Sequence, residues 1–310
     1  MKVVVAPGYV PVEELVVVDQ PRPEPGPGQV LIKLRAAALN PLDVKLTTGA
    51  MKDHMPVDHP FTLGLDAAGT VEALGEGVQD LGVGDEVIAF TYGGSGALAE
   101  YALANAGPTV VRRPAALDPV KGAALPVAAM TAAAVITAAD VPAGGTLLIV
   151  GAAGGVGSFA VQLAAQAGVK VLATATKDEA DYVRGLGAKE AVDYTAGDVA
   201  ELALAAEPGG VDAVVDLVNF GPGLAATAAA AKPGGRVVST LGGPPSFDRD
   251  VTAVYTGVEG GIGRLDELVG KAAGGTLAVE VGSVRPFSDA VAAVVDFAAA
   301  ANRGKTVITF

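Results

Sequence analysis

Two hydrophobic periodicities divide the chain. Up to about residue 117 the apolar positions come in short runs or alternate with polar ones: VVVA at 3–6, ELVVVDQ at 14–20, QVLIKLRAAALN at 29–40, LDAAGTVEALG at 65–75 and DEVIAF at 85–90. Breaks such as PRPEPGPG at 21–28 and GEGV at 75–78 separate them. Short strands at that spacing predict a β-rich, partly closed barrel-like unit. From about 118 strands alternate with helices. TLLIV at 146–150 leads into a helix to about 167, then VKVLATA at 169–175 and a helix over DEADYVRGL. EAVDY at 190–194, a helix near 198–206, VDAVVDL at 211–217 and a helix near 223–231 follow. GRVVSTL at 235–241, VTAVYTGV at 251–258 and a helix around GRLDELVGKAA complete the series. Such alternation predicts parallel βαβ units in a doubly wound α/β sheet of the Rossmann type. Past 275 a strand-like TLAVEVGSV, a helical PFSDAVAAVVDFAAA and a final TVITF are expected to return to the first domain. The expected division is 1–117, 118–272 and 273–310.

A chain of 310 residues has room for two such domains. Its apolar share is 51%, but much of that is Ala and Gly, so mean hydropathy says little about membranes. The longest apolar run, AALPVAAMTAAAVITAA at 123–139, is interrupted by Pro126, Thr131 and Thr137 and reads as a buried helix, not a span. No signal-peptide pattern follows Met1, and a cytoplasmic protein without membrane association is expected. The absence of cysteine excludes disulfides, thiolate chemistry and Cys-ligated zinc. The two histidines, His54 and His59, lie in KDHMPVDHP, where Pro56 and Pro60 oppose a helix presenting both on one face; they read as loop residues rather than ligands. A formal charge of −13 argues against a nucleic-acid partner.

The chemistry concentrates at IVGAAGGVGSFAVQLA, residues 149–164. A buried strand stops at Ala152-Ala153, and a helix starts near Gly155. On it Val156, Phe159, Ala160, Leu163 and Ala167 recur at helical steps, and Gly168 ends it. Glycines at a strand-to-helix turn inside a βαβ pattern are the setting of a dinucleotide fingerprint, although Ala152 takes the place of its first glycine. The segment Ala153, Gly154, Gly155, Val156, Gly157 is therefore assigned to cofactor binding. A side chain at Gly154 would obstruct a pyrophosphate; one at Gly157 would hold the helix off the sheet. The helix N-terminus offers N–H groups and partial positive charge to phosphates. A turn that packs a helix without any ligand is the plainer alternative. The second strand runs out through Thr174, Thr176 and Lys177, with acids only at Asp178 and Glu179 in the next helix. An NAD site wants an acid at the strand end, whereas Thr176 can hydrogen-bond a 2′-phosphate and Lys177 can pair with it; NADP(H) is favoured. Arg184 would assist only if its helix pointed it back. A solvated Lys177 is again the plainer alternative.

NPLDVKLTTG (40–49), GLDAAGTVEALGEGVQDLGVGDEV (64–87), GALAEY (96–101), LPVAAMTA (125–132), the glycine turn, LGAKEAVDY (186–194) and GKTVI (304–308) together resemble the medium-chain dehydrogenase/reductase superfamily, in its zinc-free quinone oxidoreductase branch. The resemblance spans nearly the whole chain. It implies a GroES-like first domain, NADPH as cofactor and a homodimer formed by strand addition near 251–258, which Val254 and Tyr255 would serve. It places Asn40 near the nicotinamide ribose, Thr131 near the nicotinamide, Tyr194 at the adenosine end, and Leu241 and Gly242 beside the nicotinamide. Tyr194 as an edge tyrosine, and residues 241–243 as a plain turn, remain alternatives. Zinc relatives carry Cys and a Gly-His-Glu segment; here that segment is Gly64-Leu65-Asp66, so no zinc is expected. Quinone reductases carry Tyr and Arg after the Asn-x-x-Asp motif, where this chain has Lys45 and Thr47.

Hydride delivery without a metal suits acceptors that spread negative charge themselves, such as quinones and α,β-unsaturated carbonyls. Lys45 and Tyr92 are the candidate catalytic groups, each with a merely structural role as its alternative. The expected function is NADPH-dependent reduction of a small quinone or enone. The alternatives are a trans-acting enoyl reductase of a biosynthetic pathway and a nucleotide-binding relative without turnover.

Overall fold

The structure is a computed structural model that describes residues 1–300 and 302–310. It resolves into two compact units, Met1–Val127 with Gly263–Phe310, and Ala128–Ile262.

The first unit is built from β1 (Lys2–Ala6), β2 (Val16–Asp19), β3 (Gln29–Ala38), α1 (Pro41–Thr47), β4 (Phe61–Thr62), β5 (Asp66–Leu74), β6 (Glu86–Phe90), β7 (Tyr101–Asn105), β8 (Val110–Arg112) and α2 (Pro119–Ala123). Helix α3 (Pro126–Ala139) then carries the chain into the second unit. There β9 (Thr146–Val150), α4 (Gly155–Gln166), β10 (Lys170–Ala175), α5 (Ala180–Gly185), β11 (Glu190–Asp193), α6 (Val199–Ala206), β12 (Val211–Asp216), α7 (Gly221–Ala228), β13 (Ala231–Ser239), β14 (Ser246–Phe247) and β15 (Val251–Tyr255) follow. Helix α8 (Leu265–Ala273), β16 (Val281–Pro286), α9 (Ala290–Ala299) and β17 (Lys305–Thr309) belong to the first unit again.

The first unit holds a sheet ordered β16-β17-β3-β5-β6-β8, with β7 also on β3, beside a small sheet β2-β1-β4. Strand β17 pairs antiparallel with β3 through Val307–Ala38, Ile308–Ala37 and Thr309–Ala36. Its core gathers Leu34, Leu39, Leu98 and Ile308 with Ala293 and Val294 of α9. Helix α2 packs on β3 and β5, and α8 on β8, so both fall in this unit, and the units divide at 127/128 and 262/263. The β8-to-α2 and α8-to-β16 connections therefore lie inside the unit, a placement that hydrophobic periodicity does not convey.

The second unit is a sheet ordered β11-β10-β9-β12-β13-β15-β14, parallel except for β14. Strand β9 is buried along all five residues, as a central parallel strand covered on both faces must be. Order reverses between β9 and β12, which makes their carboxyl ends the switch point of the sheet. Helix α4 departs from the expected single packed face: residues 157–164 are all buried, while Ala167 is exposed. Small residues, Ala160 and Ala164 with Gly157, let neighbours close around it. Strand β15 also differs from expectation. It is not the sheet's outermost strand, because residues 244–247 fold back along it, with Ser246–Thr252 and Phe247–Val251 paired and the Tyr255 hydroxyl donating to the Pro244 carbonyl at 2.6 Å. Among the described residues no helix is long and apolar enough to cross a membrane.

Candidate functional site

Strand β9 ends at Val150, and the chain reverses through Gly151 at φ +83°, a conformation open to glycine at no steric cost. Helix α4 starts four residues later with Gly154 as N-cap and no side chain bonded into its first turn. Its first N–H groups have no partner within the helix. Gly157 lies against the turn: a Cβ there would stand 2.1 Å from the Gly151 carbonyl oxygen and 2.7 Å from the Ala152 Cα. The backbone is thus brought down onto the strand end, and what faces outward is bare peptide at a helix N-terminus. A diphosphate fits such a cradle in shape and charge. Nicotinamide dinucleotide is the group it would hold, through residues 153–157. Gly151, whose φ sets the turn, was passed over by sequence reasoning in favour of the glycines after it; its place directly behind an apolar strand was the available signal.

Thr174 is buried, and its hydroxyl accepts the Gly151 N–H at 2.9 Å. It braces the turn from the neighbouring strand instead of facing a ligand. Beyond it, Ala175 of β10 pairs with Asp193 of β11, so Thr176 and Lys177 leave the sheet beside Tyr194. Tyr194 and Lys177 are exposed. Thr176 is not free for a phosphate: its N–H and its hydroxyl both donate to Glu179 Oε2, at 2.9 and 3.0 Å. Sequence reasoning missed this because Glu179 sits in a 3₁₀ turn that folds back on the strand end. Arg184 pairs with Asp181 along α5 at 3.4 Å.

Across the switch point, Asp216 ends β12 completely buried. It accepts the N–H groups of Val218 and Asn219, the Asn219 amide and the Thr227 hydroxyl, at 2.6–3.0 Å. This fixes the β12–α7 loop, whose Val218 side chain lies 2.7 Å from where a Gly151 Cβ would be. Asp216 was also missed; nothing in its local sequence separates it from any strand-end acid. Leu241 follows β13 with its N–H on the Ser239 hydroxyl, and Gly242 has φ +77°. Thr131 is buried in α3.

The first unit carries a different kind of polar centre. Asn40 precedes α1, and Asp43, in the helix's first turn, reaches back to accept the Asn40 N–H at 2.8 Å and the Gly64 N–H at 3.0 Å. The Asn40 amide donates to Asp66 at 2.9 Å. Lys305, from β17, donates to the Asn40 side-chain oxygen at 2.6 Å, to Asp66 at 3.0 Å and to the Leu39 carbonyl at 2.9 Å. The second Asp66 oxygen accepts the Val127 N–H at 2.8 Å, in the first turn of α3. All four side chains are buried. Burial pushes the Asp43 carboxyl up to about 7; the two N–H donors and Lys305 oppose this, and the charge of Asp66 adds to it. Asn40 therefore spends both ends of its amide inside the protein.

Lys45 follows on α1, half-buried, and burial lowers its pKa from the ordinary lysine value. Gly64 links that helix to Tyr92: its carbonyl accepts the Thr91 hydroxyl at 3.1 Å, and the Thr91 N–H donates to the Leu65 carbonyl at 2.9 Å. Tyr92 is 56% exposed and stacks on Phe90 with centroids 5.9 Å apart. Bonded neighbours thus link the Lys45 and Tyr92 segments through Asp43, Gly64 and Thr91. His54 is exposed, and His59 packs edge-on against Tyr9 at 4.6 Å. Among the described residues no group of three His, Cys, Asp or Glu is arranged to hold a metal ion.

Residues 26–115 match the alcohol dehydrogenase GroES-like domain, and residues 186–308 match the zinc-binding dehydrogenase domain. The quinone oxidoreductase structure from Coxiella burnetii superposes with a TM-score of 0.87 at 30% identity, covering 100% of this chain and 99% of that one. The chain belongs to the medium-chain dehydrogenase/reductase superfamily. Within this superfamily, a chloroplastic quinone-oxidoreductase homolog of Spinacia oleracea is 41% identical over 187 residues, 58% of this chain and 56% of its own length. A chloroplastic NADPH-dependent alkenal/one oxidoreductase of Arabidopsis thaliana is 37% identical over 244 residues, 74% of this chain and 60% of its own. The matched region spans somewhat more than half the length of these curated relatives. The Rossmann-type sheet and the GroES-like unit are thus those of the superfamily.

Proposed function

We propose that the protein is a reductase that uses NADPH to reduce a quinone or another conjugated enone without zinc. The glycine turn between β9 and α4 carries this reading: a bare backbone at a switch point is built to accept a diphosphate. NADPH, when bound, supplies a hydride. The second unit holds the dinucleotide through residues 153–157 and orients it with the loop at Leu241 and Gly242 and with Thr131. The zinc-free part of the proposal rests on the donor set, since the chain lacks cysteine and has Leu65 where zinc relatives have histidine. An acceptor that delocalises its own developing charge then needs only hydrogen-bond donors.

Lys45 is the donor best suited to that work. Its ammonium is half-buried, and burial lowers its pKa, which eases proton release to an enolate. Tyr92 is the second donor, exposed at the end of the same hydrogen-bonded chain. A stopped-flow screen of NADPH oxidation against quinones, enones and enoyl thioesters tests the proposal. Turnover with the first two classes is expected; turnover with enoyl thioesters alone would favour the biosynthetic enoyl reductase. An absence of heat and fluorescence change on NADPH addition to folded protein would end it. Lys45→Met is expected to lower kcat about 100-fold with NADPH affinity unchanged; an unaltered kcat removes Lys45 from the chemistry. We also propose a homodimer formed at the β14 edge, since β14 is the outermost strand of its sheet. Phe247→Asp should then sediment as a monomer, and an unchanged sedimentation coefficient would count against that edge.

A further inference from the structure

We infer that Glu179 is a specificity-determining residue at the 2′ position of the dinucleotide, a negative counterweight to Lys177 that restrains preference for the phosphorylated cofactor. The inference rests on the dinucleotide reading of the glycine turn. In an open parallel sheet the adenosine ribose reaches the carboxyl end of the strand next to the turn, here β10, which pairs with β9 in register. The residues there are Thr176, Lys177 and, beside them on β11, Asp193 and Tyr194.

Read from composition, this strand end favours a phosphate, because Thr176 and Lys177 are there and the acids belong to the next helix. The geometry reverses half of that. Glu179 Oε2 takes both donors of Thr176, at 2.9 and 3.0 Å, so its carboxylate stands at the strand end and leaves Thr176 no proton for a phosphate. Among the described residues the other oxygen, Oε1, accepts no hydrogen bond, and it is free to receive a ribose 2′-hydroxyl. Lys177 does not act alone either. Asp193, held by the Thr195 hydroxyl at 2.6 Å and N–H at 3.0 Å, also feels the Lys177 charge. Two carboxylates and one ammonium make the place net negative. A 2′-phosphate brings about two further negative charges at neutral pH. It gains Lys177 and is repelled by Glu179, whereas a 2′-hydroxyl gains an acceptor. The two dinucleotides are thus drawn toward equal affinity.

The test measures dissociation constants for NADPH and NADH by fluorescence, with 2′,5′-ADP and 5′-AMP as competing probes, in wild type, Glu179→Gln and Lys177→Met. Glutamine keeps an oxygen that accepts both Thr176 donors and removes only the charge, so the turn is preserved; thermal unfolding checks this. Glu179→Gln is expected to raise the NADPH-to-NADH affinity ratio about tenfold at low salt, less at high salt, and to tighten 2′,5′-ADP but not 5′-AMP. Lys177→Met is expected to lower the ratio. A Glu179→Gln ratio equal to wild type, with both dinucleotides still bound, overturns the inference and leaves the dinucleotide reading standing. Wild type that binds neither dinucleotide overturns the reading itself.

Discussion

The glycine turn of the second unit and the Asn40–Asp43–Asp66–Lys305 cluster of the first are opposite solutions to placing polar groups inside a protein. At the turn, side chains have been removed until backbone meets backbone, with Gly157 against the Gly151 carbonyl. The helix amides there have no side-chain cap. In the cluster nearly every donor and acceptor is matched: two carboxylates, one ammonium and one amide share eight hydrogen bonds, seven of them buried. An open set of donors attracts a ligand; a closed one holds elements in place. The cluster fastens α1, β5, β17 and the start of α3 together, and its buried ammonium is used up in doing so. The difference teaches that burial and charge alone do not mark a binding site; unfilled hydrogen-bonding capacity does.

The sharpest way to break this comparison is to fill the turn. Gly157→Val places a branched Cβ where the Gly151 oxygen already stands, and the helix must move off the strand. NADPH affinity is expected to fall more than about 100-fold, which corresponds to about 2.7 kcal/mol. Thermal stability should drop with it, since residues 157–164 of α4 are all buried. Fluorescence titration alongside a melting curve reads both. Retained affinity would show that the turn is a packing device and nothing more.

The two centres also differ in how far they could be read in advance. The turn is contiguous, and an apolar strand, four glycines and a helical repeat announce it in sixteen residues. Its immediate supports are not contiguous: Thr174 and Asp216 act from neighbouring strands. Nor is the end of β10, where Glu179 holds Thr176 through a fold-back visible only in three dimensions. The cluster draws on positions 40, 43, 66 and 305, so only the pairing of β17 with β3 brings Lys305 to Asn40. Motif matching marked Asn40 and the GKTVI segment separately, with no sign that one bonds the other. Similarly, alternation located β15, but the proline-bearing segment that covers its edge carries no periodicity. What depends on local spacing was legible; what depends on which strands become neighbours was not.

Removing the ammonium from the closed set should register in folding rather than in binding. Lys305→Met leaves Asp66 buried beside a neutral side chain, with the Asn40 oxygen also unpaired. Breaking a buried pair in this way is expected to cost about 3–5 kcal/mol in urea unfolding. Adding Asp66→Asn should return part of that loss, because the stranded charge is then gone. A loss under about 1 kcal/mol would mean water reaches the cluster, and the contrast between open and closed would fail.

A further difference separates the two centres by pH. The Asp43 carboxyl titrates near 7 in the folded protein against 3.8 in an unperturbed chain, chiefly because it is buried. Between those values the folded chain keeps the proton that the unfolded chain has lost. Folding therefore takes up a proton, and this group's contribution to stability falls as pH rises from about 4 to 7, by at most about 1.4 kcal/mol per unit. Asp43→Asn removes the titration and should flatten that part of the stability–pH curve, measured by urea midpoints across the range. NADPH affinity in the same range should follow the variant and wild type alike, because nothing in the turn titrates there with Asp43. If the slope persisted in the variant, the proton would belong elsewhere. The closed cluster would then be fully ionised, held by its Lys305 and N–H donors strongly enough to outweigh burial.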